Sequence, residues 1–111
     1  MALPHVGAGQ PCDVRPLGEA LAGTPSSALF KSEQLEVIRL VLPAGRSMPP
    51  HRVAGEITLQ CLEGELALSL AGGPQRLAAG QLLFLRGGEL HGLQALSDAS
   101  ALLTLVLRGP A

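Results

Sequence analysis

Residues 45–64 read GRSMPPHRVAGEITLQCLEG, and residues 80–91 read GQLLFLRGGELH. In the first stretch five residues separate Gly45 from His51, one separates His51 from Val53, three separate Val53 from Ile57, and six separate Ile57 from Gly64. In the second, five residues lie between Gly80 and Arg86 and two between Gly88 and His91. Ile57, Leu59 and Cys61 alternate with Glu56, Thr58 and Gln60, the period of two that marks a strand with one face in a core. Glu63-Gly64-Glu65 then turns the chain, and Leu66, Leu68 and Leu70 again share a face.

Outward from these stretches, strand signals recur at short intervals. Residues 28–31 and 35–42 flank Ser32-Glu33-Gln34 as a hairpin, while Pro43-Ala44-Gly45 and Pro49-Pro50 are expected to break the chain. Ala71-Gly72-Gly73-Pro74 reads as a turn into residues 75–77, and residues 81–85, 90–96 and 101–107 complete the series. The many leucines favour helix on propensity. No periodic segment exceeds eight residues between Gly or Pro breakers, however, which predicts a sandwich or barrel of short strands. Residues 1–27 are expected to form an N-terminal arm and edge strand. Positions 1–11 are its loose part, with His5 solvated, positions 13–17 are an edge strand, and positions 20–27 are a connecting loop. Residues 28–111 form the barrel, all within one domain of 111 residues.

The paired spacing resembles the two signature segments of the cupin superfamily. The likeness spans residues 35–107 and includes the CLEGEL hairpin at 61–66 and the AGQL turn at 79–82. Fifteen residues separate the two stretches, as in the compact microbial form. The resemblance implies an all-β double-stranded β-helix, or jelly-roll barrel, with positions 51, 53, 57 and 91 facing its mouth. The family pattern would place a second histidine at Val53, a glutamate or glutamine at Ile57, a proline at Arg86 and an asparagine at Ala95. The glycines and two histidines are present; two of the usual four metal ligands are hydrocarbon.

Members with the full set bind Fe, Mn, Ni, Cu or Zn. Val53 and Ile57 have no electron pair to donate, so His51 and His91 offer at most two protein ligands, where zinc sites normally use three or four. Glu56 points away from Ile57 by strand alternation unless a bulge intervenes, and Cys61 lies ~13 Å further along the strand. No resident cofactor is therefore expected, only a weakly bound divalent transition metal at His51 and His91.

Composition sets further bounds. Apolar residues make up 47% of the chain, and counting the 14 glycines raises this to roughly 60%, against about 45–50% in an average domain. No apolar run approaches the ~18 residues of a spanning helix, so the surplus is expected to lie against a second subunit, with residues 13–17 crossing to it. A net charge of -1 with scattered signs excludes a phosphate-binding stripe, and nucleic acid is not an expected partner. Residues 1–10 lack a basic start and an apolar stretch, so they are no secretory signal; the cytoplasm is expected, with Cys12 and Cys61 as free thiols.

The absence of Trp and Tyr removes the inward His–Tyr pair in which epimerase-type cupins resemble one another. Phe30 and Phe84 are expected in the core. Met48, three residues before His51, is placed at the mouth, so the candidate pocket comprises Met48, His51, Val53, Ile57 and His91. Three readings follow. A dimeric barrel could bind a small, mostly apolar molecule with His51 and His91 as polar anchors; this reading leads. The same histidines could serve a metal-assisted dioxygenase- or isomerase-like enzyme. A filled barrel could act only through its surface or dimer.

Overall fold

The alternation at Ile57, Leu59 and Cys61 becomes strand β4 (Ile57–Glu63), with those three side chains buried and Gln60 exposed. The computed structural model describes residues 5–107. Before β4 come β1 (Ser27–Lys31), β2 (Leu35–Leu42) and β3 (Ser47–His51). After it come β5 (Glu65–Leu70), β6 (Gln75–Ala78), β7 (Leu82–Leu85), β8 (His91–Ala95) and β9 (Ala99–Val106). Two antiparallel sheets result, one ordered β1-β2-β9-β4-β7 and the other β3-β8-β5-β6. This is the jelly-roll barrel expected of the spacing.

The space between the sheets is filled by the inward residues of both. Leu40, Leu59, Cys61, Leu66, Leu68 and Leu77 are each at most 7% exposed, and Ala95, Ala99 and Ala101 are buried in the same cluster. Interior faces of adjacent strands coincide because the register matches Leu59 with Leu83 and Leu103, and Cys61 with Ala101. The β4–β5 connection turns at a single residue, Gly64, whose φ is +77°. A Cβ there would strike the carbonyl oxygen of Asp98 and lie 2.9 Å from the Cα of Ala99. Only glycine satisfies both constraints.

The N-terminal region departs from expectation. Residues 13–17 form no strand, and a short 3₁₀ helix, Gly18–Gly23, stands where a loop was expected. The reason is a carboxylate far along the chain. Glu63 accepts hydrogen bonds from the backbone N–H groups of Leu17 (2.9 and 3.0 Å) and Gly18 (3.0 Å), fixing residues 17–18 against the end of β4. Arg39 donates to the carbonyl of Arg15 at 2.6 Å, and Ser26 accepts from the backbone N–H of Val41 at 2.8 Å. Arg15, Leu17 and Gly18 are thus fastened to β2 and to the end of β4. Even the part expected to be loose is tied, since the N–H of Val6 donates to the carbonyl of Leu29 on β1. The first and last four residues of the expected arm and barrel lie outside the described residues.

Two further expectations are corrected. Pro49 and Pro50 lie inside β3 rather than breaking the chain. The ring of proline removes a ladder donor, which is tolerable here because β3 is an edge strand and carries a bulge at this point. Phe84 is not in the core: it is 55% exposed on the outer face of β7, and Leu82 beside it is 65% exposed. No described helix is long and apolar enough to cross a membrane.

Candidate functional site

The bulge in β3 brings the two histidines together. Met48 pairs with Leu93 and His51 with His91, so three residues of β3 span two of β8. In a regular strand, residues three apart point to opposite faces. The extra residue reverses that parity, so Met48 and His51 both turn inward beside Leu93 and His91. Gly92 makes the bulge possible. A Cβ there would meet Ser69 Oγ at 2.6 Å and Pro50 Cγ at 3.2 Å, so its absence lets Pro50 lie against β8.

The imidazole centroids are 4.5 Å apart, with the ring planes tilted by 55°. His91 is buried at 9% exposure, whereas His51 is exposed at the rim. Nδ1 of His91 lies 2.9 Å from the carbonyl oxygen of Glu89, and Nδ1 of His51 lies 3.3 Å from that of Pro49. A carbonyl oxygen only accepts, so in both contacts Nδ1 is the donor, and in the neutral ring Nε2 is then the acceptor. Among the described residues Arg39 Nε is the only buried side-chain polar atom without a partner.

Below the rings is a cavity of about 20 Å³, lined by five residues from each sheet. Leu40, Ile57, Leu59, Leu85 and Leu103 come from one sheet, and Met48, His51, Leu68, His91 and Leu93 from the other. Apart from the two imidazoles, every wall is hydrocarbon or thioether. The structure thus brings together Met48, His51, Ile57 and His91 of the candidate pocket. Val53 is different: half-buried in the irregular segment after β3, it does not line the cavity. Its carbonyl instead accepts from the N–H of Gly88 at 2.7 Å, tying the two loops at the mouth. Sequence reasoning missed Leu40, Leu68, Leu85, Leu93 and Leu103 as cavity walls. Their signal was present in the inward phase of their strands, but depth along a strand is not written in periodicity.

The donor set does not fit a resident metal. Among the described residues no three His, Cys, Asp or Glu side chains gather where one ion could reach them. The Cys61 thiol, fully buried, donates to the carbonyls of Glu63 and Gly64 and takes no part at the mouth. Burial pushes its pKa up, against the hydrogen bond to Glu63. It behaves as an inert core residue.

The cupin domain family profile matches residues 38–107, from within β2 to just past β9. The chain belongs to the cupin family. Solved structures agree on the fold of this cupin. A conserved protein of unknown function from Streptococcus pyogenes superposes with a TM-score of 0.74 at 19% identity, covering 99% of this chain and 100% of that one. A cupin superfamily protein from Desulfitobacterium hafniense gives 0.72 at 17% identity, covering 75% and 76%. An RmlC-like cupin from Desulfovibrio desulfuricans gives 0.67 at 25% identity, covering 73% and 79%. Comparison with curated proteins finds no match.

Proposed function

We propose that this cupin is a binding protein that takes one small, mostly apolar molecule at the barrel mouth without a resident metal. The observation that carries this reading is the pair of imidazoles, 4.5 Å apart, at the rim of a cavity otherwise walled by hydrocarbon and the Met48 thioether. Their Nε2 lone pairs can accept hydrogen bonds from a hydroxyl, amide or protonated acid. The leucines below suit an apolar tip, in keeping with binding sites that combine apolar walls and a few polar groups.

Volume restricts the ligand. About 20 Å³ admits one water- or methyl-sized group, so the rest of the molecule lies between the histidines or takes the place of Met48. The unbranched Met48 side chain is the wall most easily rotated aside. The same small volume favours a second reading, in which the barrel is simply a packed core and the protein acts through its surface.

Native mass spectrometry and elemental analysis of the purified protein separate the two. The binding reading expects a small organic adduct, less than one metal per chain, and loss of the adduct in His91→Ala. It also expects millimolar short-chain alcohols or carboxylic acids to raise the melting temperature of wild type but not of His91→Ala. Absence of both an adduct and a melting shift leaves the filled barrel. A full metal complement that survives mild chelation overturns both readings.

A further inference from the structure

Both imidazoles are held by the same local contact. Nδ1 of His51 lies against the carbonyl of Pro49, and Nδ1 of His91 against that of Glu89, each two residues back along the chain. The bond that one ring nitrogen makes sets the state of the other. With Nδ1 donating, the neutral ring presents Nε2 as an acceptor, on the part of the ring furthest from the backbone. The mouth thus offers two acceptors, in rings whose centroids are 4.5 Å apart.

The rest of the lining decides what those acceptors can take. The other eight residues around the cavity are six leucines, Ile57 and Met48, so none of their side chains donates a hydrogen bond or carries a charge. Glu89, the carboxylate nearest His91 in sequence, is turned back onto the backbone N–H of Arg86 at 3.2 Å. An ionised carboxylate or phosphate would set its own lone pairs against those of Nε2 and lose its hydration for nothing. An ammonium has donors but would meet no counter-ion on these walls, and burying an unpaired charge is costly. The head that fits is therefore neutral. A hydroxyl donates once and serves one ring only. A planar NH₂ donates twice, and with bonds of about 3 Å its two hydrogens bridge acceptors about 5 Å apart, the scale of this ring pair.

We propose that the molecule bound at this mouth is a primary carboxamide on a short alkyl chain, its NH₂ donating one hydrogen to Nε2 of His51 and one to Nε2 of His91. The inference rests on the binding reading above and names the ligand class that reading leaves open. The terminal methyl enters the cavity of about 20 Å³, which holds one group of that size. The amide carbonyl stays on the open side, where His51 is exposed and water satisfies it. The same arrangement rejects the corresponding carboxylate, which has the shape of the amide but no hydrogen to give.

NMR titration of the wild-type protein at about pH 8, where an ordinary imidazole is neutral, tests the preference with five probes of one size. These are propionamide, butanone, propanol, propionate and propylammonium. Propionamide should bind most tightly and propanol, with one donor, about fivefold more weakly. Butanone, which carries a methyl in place of the NH₂, and the two ions should be weaker by at least about tenfold. Long-range proton–nitrogen spectra of His5→Ala, which removes the exposed third histidine, read the two rings directly. Both should show hydrogen on Nδ1 and none on Nε2, and propionamide should shift both Nε2 signals. Butanone binding as tightly as propionamide overturns the carboxamide while leaving the apolar binding site in place. Failure of every probe to bind brings down both readings. A ring that carries hydrogen on Nε2 in the free protein overturns the proposal whatever the affinities.

Discussion

Ile57 is where metal chemistry is decided at this mouth. It lines the cavity with the two histidines, is 4% exposed, and is the residue whose side chain a donor would have to replace. Ile57→His should therefore supply a third imidazole. Without metal the variant loses about 2–4 kcal/mol, because a large apolar group is removed from a packed site and a polar one is put there. Zn²⁺ should bind it at least about tenfold more tightly than wild type and restore part of the melting temperature, since a metal that binds the native state stabilises it. Val53→His should gain nothing, because position 53 does not line the cavity. Calorimetric titration of wild type and both variants checks this; a gain at position 53 equal to that at 57 would refute the geometry. The pairing of His51 with His91 was legible in sequence through the spacing of the two stretches. The failure of Val53 was not, because the bulge that turns His51 inward depends on Pro50 meeting Gly92 on a strand about forty residues away.

At the scale of elements, the turns at Gly45, Gly64, Gly73, Gly80 and Gly88 were the most readable part of the chain, because each of these positions has a backbone that only glycine adopts freely. Gly64→Ala should cost more than about 2 kcal/mol, combining a left-handed backbone with a collision against the Asp98–Ala99 backbone. Gly72→Ala, in open space and without a positive φ, should stay within about 0.5 kcal/mol of wild type. Urea denaturation of the two variants measures the contrast, and similar losses would refute the turn argument. Strands β4 and β5 were legible because they alternate against a core, and β2 and β9 because they are short apolar runs between breakers. Residues 13–23 were not, since their conformation is set by Glu63 rather than by their own pattern. Phe84 was misplaced for a related reason. Periodicity separates the two faces of β7 but does not say which outward faces remain bare.

For the whole molecule, the Glu63 cluster fastens the N-terminal segment to three neighbouring strands of one sheet. Its carboxylate sits at the end of β4, holds the N–H groups of Leu17 and Gly18, accepts from Ser100 on β9, and lies 3.4 Å from Arg39 on β2. Burial pushes the Glu63 pKa up. The hydrogen bonds from Ser100, Leu17 and Gly18, with Arg39 beside them, outweigh it and hold the carboxyl below its ordinary value. A carboxyl whose native pKa is lowered binds fewer protons folded than unfolded. Its stabilisation is therefore present above the ordinary glutamate value of about 4.3, and is lost as pH falls from there through the lowered native value. Glu63→Gln keeps the shape but removes the charge, leaving Arg39 buried without its counter-ion. The variant should be about 1–3 kcal/mol less stable at pH 7, the range for hydrogen bonds to a charged group. The difference should shrink as pH falls below the ordinary glutamate value and through the lowered native value, where the wild-type carboxyl also becomes neutral. Chemical denaturation across that range decides the matter: a gap between wild type and variant that stays constant with pH would mean that Glu63 holds the N-terminal segment by shape alone.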